Sequence, residues 1–270
     1  MQKVEVNGIH LAYDIQGEGE PLVLVTGTGY CSWFWHKTTP GLSEHYRVIT
    51  FDNRGAGDTD KPEAPYSIPM MAADTAGLMD ALALRDAFVL GHSLGGYIAQ
   101  ELAITRSDLV SKLILASTNY GGMKVIPPSP EAFDVLTNRE GDPIQLIRRG
   151  IAVACAPGFG ETHPEVVKEL IDYRLQGRVP LQQYQAQVMA ALGMGGLTEE
   201  QVSERMSSIK IPVLLLFGEH DEVVPPGNAT LMAEKLPDAE VKIIPDTGHL
   251  FPIERPEATV KAIREFLDGK

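Results

Sequence analysis

The chain has 270 residues, 44% hydrophobic and 22% charged, with a net charge of −13. This composition excludes disordered and fibrous classes, and an acidic surface of this kind repels phosphate backbones and anionic lipid, so nucleic-acid and membrane-surface partners are not expected. Cys31 and Cys155 cannot make a disulfide framework, no Cys/His cluster has zinc-ligand spacing, and a reducing cytosol fits.

From the start of the chain, Met1–Asn7 reads as a short alternating strand without a signal-peptide core, and no apolar run approaches the ~20 residues that cross a bilayer. A cytoplasmic, unprocessed protein is the expectation. Val4–Val6 and Ile9–Ile15 alternate apolar and polar around Asn7-Gly8, a dipeptide that favours a tight hairpin. Leu22–Val25, Val48–Phe51, Ala87–Leu90, Leu113–Ala116, Val213–Phe217 and Val241–Ile244 are short, nearly continuous apolar runs. Strands of that kind are covered on both faces, as in a parallel sheet. Between them the period is helical: Met70–Leu84 places Met71, Thr75, Leu78, Met79 and Leu82 on one face, and Leu94–Arg106 does so with Ile98, Leu102 and Thr105. The alternation predicts an α/β fold with function at the carboxyl ends of the strands.

Residues 119–208 break that alternation. They offer helical segments at Pro130–Asn138, Pro143–Cys155, Pro164–Leu175, Leu181–Leu192 and Glu199–Ser207, with Asp142-Pro143 as an N-cap and first-turn pair and Thr198/Gln201 at capping-box spacing. The expected organisation is a core domain of residues 1–118 and 209–270 with a helical cap, residues 119–208, over its active edge.

Gly91-His92-Ser93-Leu94-Gly95 lies between a strand and a helix. In that context a G-x-S-x-G sequence forces the serine onto a sharp turn with its hydroxyl exposed, and only small residues fit at 91 and 95. Ser93 is the candidate nucleophile; a phosphate-cradling loop is the competing reading, but no Lys-Ser/Thr follows. A serine needs a base and an orienting acid. His249, on the loop after Val241–Ile244, would leave the same sheet edge, whereas His92 is expected to pack and His10, His36, His45 and His163 lack such placement. Asp221, after Val213–Phe217, gives the chain order serine, acid, histidine; Glu219 and Glu222 are its competitors.

With Gly91–Gly96, the turn Phe51–Asp60, and the loops Gly218–Pro225 and Gly248–Pro256 in this order, the chain resembles the α/β-hydrolase fold superfamily, serine hydrolase branch. The resemblance implies a mostly parallel sheet flanked by helices, with an inserted cap. It assigns oxyanion-hole donors to the backbone N–H groups of Leu94 and Thr28, and gives the turn holding Asp52 and Arg54 a structural role. Thr26 stands where family members commonly carry histidine. Tyr30, Trp33 and Leu250 are candidates for the substrate pocket, with Trp35 close by. The loop at Gly248–Pro256 is most similar to carboxylesterases and 3-oxoadipate enol-lactonase-type lactonases, which implies acyl-enzyme cleavage of a small-molecule ester or lactone without cofactor or metal. Ring-cleavage carbon–carbon hydrolases, cofactor-free perhydrolases and non-catalytic hydrolase-like binding proteins are the alternatives. Arg148, Arg149, Arg174 and Arg178 are the arginines that could meet a substrate carboxylate, with an exposed helix face as the ordinary alternative.

Overall fold

Asn7 and Gly8 take φ of 47° and 74°, the left-handed pair that a two-residue hairpin turn requires. That turn folds β1 (Gln2–Val6) antiparallel onto β2 (Ile9–Gln16). The computed structural model describes residues 1–176 and 178–269. β3 (Pro21–Val25), β4 (Arg47–Phe51), β5 (Ala87–His92), β6 (Val110–Ala116), β7 (Val213–Gly218) and β8 (Ala239–Ile244) complete an eight-stranded sheet in the order β1-β2-β4-β3-β5-β6-β7-β8. β2 meets β4 antiparallel, and every pairing from β4 to β8 is parallel. The architecture is the expected α/β one.

Parallel pairing needs covering helices on both faces, and the period of two along each strand supplies a face for each. Val23, Val25, Val89, Leu113, Leu115 and Leu215 pack into one cluster with α2 (Ile68–Ala81) and α3 (Leu94–Thr105). Leu22, Leu24, Leu90, Ile114, Leu214 and Leu216 point the other way, toward α1 (Thr39–Ser43) and α12 (Pro256–Asp268). Each such side chain contributes about 1.5–3 kcal/mol by leaving water.

Two details differ from the sequence reading. Thr105 is the last residue of its helix and is exposed, its hydroxyl donating to the Glu101 carbonyl at 2.7 Å. Val241 and Ile243 are 41% and 39% exposed because β8 is the edge strand and one of its faces is left open.

Between β6 and β7 the described residues form helices and no strand: α4 (Pro130–Thr137), α5 (Pro143–Ala154), α6 (Phe159–Thr162), α7 (Pro164–Leu175), α8 (Leu181–Gly193) and α9 (Glu199–Ser208). Asp142 caps α5 by accepting from Gln145 N at 2.9 Å, and Thr198 and Gln201 form both bonds of the capping box. The short α6 carries too few residues for a periodic signal. Ile147, Ile151, Val167, Leu170 and Ile171 join the cluster under α12, whereas Ala186, Ala190, Val202 and Met206 join that under α2 and α3. These helices thus straddle the carboxyl edge of the sheet. α10 (Gly227–Ala233) and α11 (Phe251–Glu254) complete the chain.

Candidate active site

Strand register decides which loops meet. Val25 pairs with Gly91, His92 with Ala116, Ala116 with Leu216, and Gly218 with Ile244. The segments following β3, β5, β7 and β8 therefore leave one edge side by side, where the strand order reverses around β3 and β5.

At the end of β5, Ser93 has φ 55° and ψ −119°, a conformation that costs an L-residue roughly 1–3 kcal/mol. The fold enforces it. Ser93 N donates to the Ala116 carbonyl at 2.9 Å, Gly96 N donates to the Ser93 carbonyl at 2.8 Å, and the neighbours leave no slack. A Cβ on Gly91 would lie 2.2 Å from the Gly95 carbonyl oxygen, and one on Gly95 would lie 2.3 Å from that of Val25.

Asp221 and His249 arrive from β7 and β8. Asp221 Oδ2 is 2.8 Å from His249 Nδ1, and Oδ1 accepts from the backbone N–H groups of Val223 and Val224 at 2.9 and 2.8 Å. The carboxylate is fixed at both oxygens and buried. Bonded to that carboxylate, Nδ1 carries the proton, which leaves Nε2 as the acceptor. His249 and Ser93 line the same cavity, and among the described residues Ser93 Oγ makes no hydrogen bond to the ring. The competing acids are engaged elsewhere: Glu219 accepts from Asp246 N, and Glu222 from the Ser129 hydroxyl.

Two supports escaped the sequence reading. His92 does pack, among the rings of Phe34, Trp35 and Phe251, but its Nε2 also donates to the His249 carbonyl at 2.8 Å. Burial and the neighbouring His249 hold it well below the usual histidine range, so it is neutral. Glu254, five residues after the histidine, accepts from Gly248 N at 2.9 Å and from Ala156 N at 2.7 Å, tying the histidine loop to the end of α5. Its only sequence signal was its place in the Gly248–Pro256 resemblance.

Burial pushes the Glu254 carboxyl up to about 7, against the pull of those two N–H donors. Between its ordinary range and 7 the folded chain thus holds a proton that the unfolded chain has released. Its stabilising contribution is full at low pH and lost as pH rises through 7. Glu254→Gln cannot titrate, so the stability lead of the wild type over this variant should shrink by up to about 3 kcal/mol between about pH 5 and about pH 8. Thermal melts across that range check it; a constant difference would show an ordinary carboxyl.

The loop after β3 carries Thr28, whose N–H is, with that of Leu94, an expected oxyanion donor. Among the described residues, neither Thr28 N nor Leu94 N donates to a protein acceptor, and Leu94 opens α3, where the helix dipole favours an anion. The loop is braced from two sides. Asn53 Nδ2 donates to the Thr26 carbonyl at 3.0 Å and reaches the Thr26 hydroxyl at 3.3 Å, and the buried Gln187 on α8 accepts from Gly29 N at 2.9 Å. Thr26 thus takes its partner from the β4 turn. Asp52 in that turn accepts from Ser32 N and Asp58 N, and Arg54 pairs with Asp74, so both are structural as the resemblance implied.

The cavity measures about 240 Å³ and is mostly apolar. Tyr30 and Leu250 line it, and so do Ile147, Ile151, Tyr184 and Val188. Trp33 does not: it stacks on Tyr173 and His36 at centroid distances of 3.6 and 4.2 Å, facing a separate surface recess. Trp35 is core, and Met189 is exposed. Of the four arginines singled out, only Arg174 reaches the cavity, joined by Arg139. Arg149 and Arg178 instead pair with Asp134 and Asp58, and Arg148 is exposed.

A sequence model of the family described as alpha/beta hydrolase fold matches residues 20–256. A Mycobacterium tuberculosis relative that carries a non-heme bromoperoxidase name is 31% identical, across 96% of this chain and 97% of its own. A thermophilic esterase from Thermogutta terrifontis is 31% identical with a TM-score of 0.82, covering 99% of this chain and 98% of its own. The enol-lactonase of Burkholderia xenovorans LB400 is 26% identical with a TM-score of 0.83, covering 99% and 100%.

Proposed function

The chain belongs to the alpha/beta hydrolase fold family, and on that footing we propose that it is a serine hydrolase cleaving a carboxylic ester or lactone of a small to medium, partly apolar substrate. One observation carries the reading: the strained Ser93 shares a cavity wall with His249, whose ring is tied at 2.8 Å to the buried Asp221.

In this reading His249 Nε2 takes the Ser93 proton as Oγ attacks the carbonyl carbon, and Asp221 stabilises the imidazolium. The carbonyl oxygen, now negative, accepts from the N–H groups of Thr28 and Leu94, each worth about 10²–10³ in rate. Collapse of the tetrahedral species expels the alkoxide, which takes the proton from His249 and leaves an acyl-Ser93. Water activated by His249 then releases the acid and restores the serine. Residues 119–208 act as a cap that shapes the acyl site and sheds water.

A fluorophosphonate probe tests the nucleophile: the protein should label once, and Ser93→Ala should not label. Equal labelling of both proteins rejects the proposal. A panel of short and long esters, enol-lactones and vinylogous diketones then ranks the substrates. Diketones turned over far faster than any ester or lactone would place the chemistry at a carbon–carbon bond instead.

A further inference from the structure

No Asp or Glu is among the described residues that line the Ser93 cavity, yet two guanidinium groups reach it, Arg139 and Arg174. In a chain of net charge −13 this is a local reversal of sign. Elsewhere Arg54, Arg106, Arg149, Arg178 and Arg205 each hold a carboxylate oxygen within 2.9 Å. Among the described residues Arg139 and Arg174 form no such pair.

Their positions are nevertheless defined. Arg174, on α7, donates to the Gly29 carbonyl at 3.1 Å and lies 4.6 Å over the Tyr30 ring. Arg139, after α4, lies 4.7 Å over the Tyr184 ring, with one long bond to the Val135 carbonyl at 3.5 Å. Tyr184 packs on Gly29, so both cations border the loop that carries the Thr28 N–H. Aromatic faces orient a guanidinium without neutralising it, and among the described residues most of the N–H donors of each fork find no acceptor. Two like charges held on one apolar wall repel each other until an anion bridges them, and a carboxylate matches the planar fork bidentately.

Building on the acyl-transfer reading above, we propose that the substrate carries a free carboxylate besides its scissile carbonyl, bound by Arg139 and Arg174. The remaining wall, apolar at Ile147, Ile151 and Val188, would hold a short hydrocarbon link between the two groups.

The test compares kcat/KM for matched esters. Mono-p-nitrophenyl glutarate, with its carboxylate on the acyl side, is set against p-nitrophenyl pentanoate; para-butanoyloxybenzoate, with its carboxylate on the alcohol side, is set against phenyl butanoate. The wild type should favour at least one charged probe by about 10–100-fold, the range of charge-assisted hydrogen bonds. Arg139→Gln/Arg174→Gln should lose that preference, and Arg139→Lys/Arg174→Lys should keep part of it. No preference in the wild type, or one that survives both glutamines, overturns the proposal. If no ester is cleaved and no fluorophosphonate label appears, the hydrolase reading fails on its own. Calorimetry with glutarate and the Ser93→Ala protein then decides the anion site: binding lost with both arginines upholds it, and binding that is absent or indifferent to them refutes it.

Discussion

Ser93→Ala is expected to lower kcat for any ester this protein cleaves by about 10⁶, with the fold intact. The size follows from the arrangement. Asp221 and His249 can generate no acyl-enzyme once Oγ is gone, and what remains are the N–H donors of Thr28 and Leu94, enough for a residual ~10³–10⁴ over water. Asp221→Asn should cost about 10⁴, because an amide facing His249 Nδ1 leaves the proton on the wrong nitrogen for taking one from serine. Stopped assays against a no-enzyme blank resolve both values. A second measurement separates chemistry from structure. With φ at 55°, position 93 strains any residue with a Cβ, so Ser93→Gly should also be inactive yet melt higher, by about 1 kcal/mol of stability. Should Ser93→Ala retain as much as a hundredth of wild-type turnover, the nucleophile lies elsewhere.

The parts of this site that depend on backbone course were legible in the sequence. Gly91 and Gly95 announced a turn with no room for side chains, and the apolar runs before Asp221 and His249 placed both on one sheet edge. Hydrogen bonds across long sequence separations were not legible. His92 was read as packing because local geometry turns it away from Ser93; its bond to the His249 carbonyl depends on β5 and the β8 loop meeting in space. Glu254 carries no sequence signal of its own beyond the Gly248–Pro256 resemblance, since one of its two N–H donors, Ala156, lies nearly a hundred residues earlier. Trp33 was misplaced because an aromatic beside a strand end can turn toward the cavity or away from it, and only the position of Tyr173 on α7 shows that it turns away. Arg139 lacked any periodic signal, lying past the end of α4. Periodicity reports which face is apolar, whereas the pairing of single polar groups is set by tertiary contacts that leave no trace in local spacing.

The buried pair behind the β4 turn gives the largest stability effect. Arg54 Nε and Nη2 meet Asp74 Oδ2 and Oδ1 at 2.6 and 2.8 Å, with side chains 8% and 3% exposed. The Asp74 carboxylate also accepts from Asn7 Nδ2 at 3.1 Å, so α2, the β4 turn and the first hairpin share one carboxylate. Asp74→Ala strands a guanidinium beneath Tyr66 without a counter-charge and leaves Asn7 short of an acceptor. The expected loss is about 3–5 kcal/mol, a large part of a typical stability of ~5–15 kcal/mol. The melting point should fall by roughly 6–20 °C. Because Arg54 is not among the residues lining the cavity and meets Gln187 through its carbonyl, kcat measured well below the new melting point should stay within a few-fold of wild type. Removing both charges with apolar residues of similar volume, as in Arg54→Met/Asp74→Leu, should recover much of the loss, since a buried pair contributes less than a buried unpaired ion costs. If Asp74→Ala abolishes turnover while its melting point stays put, this turn belongs to the chemistry rather than to the scaffold.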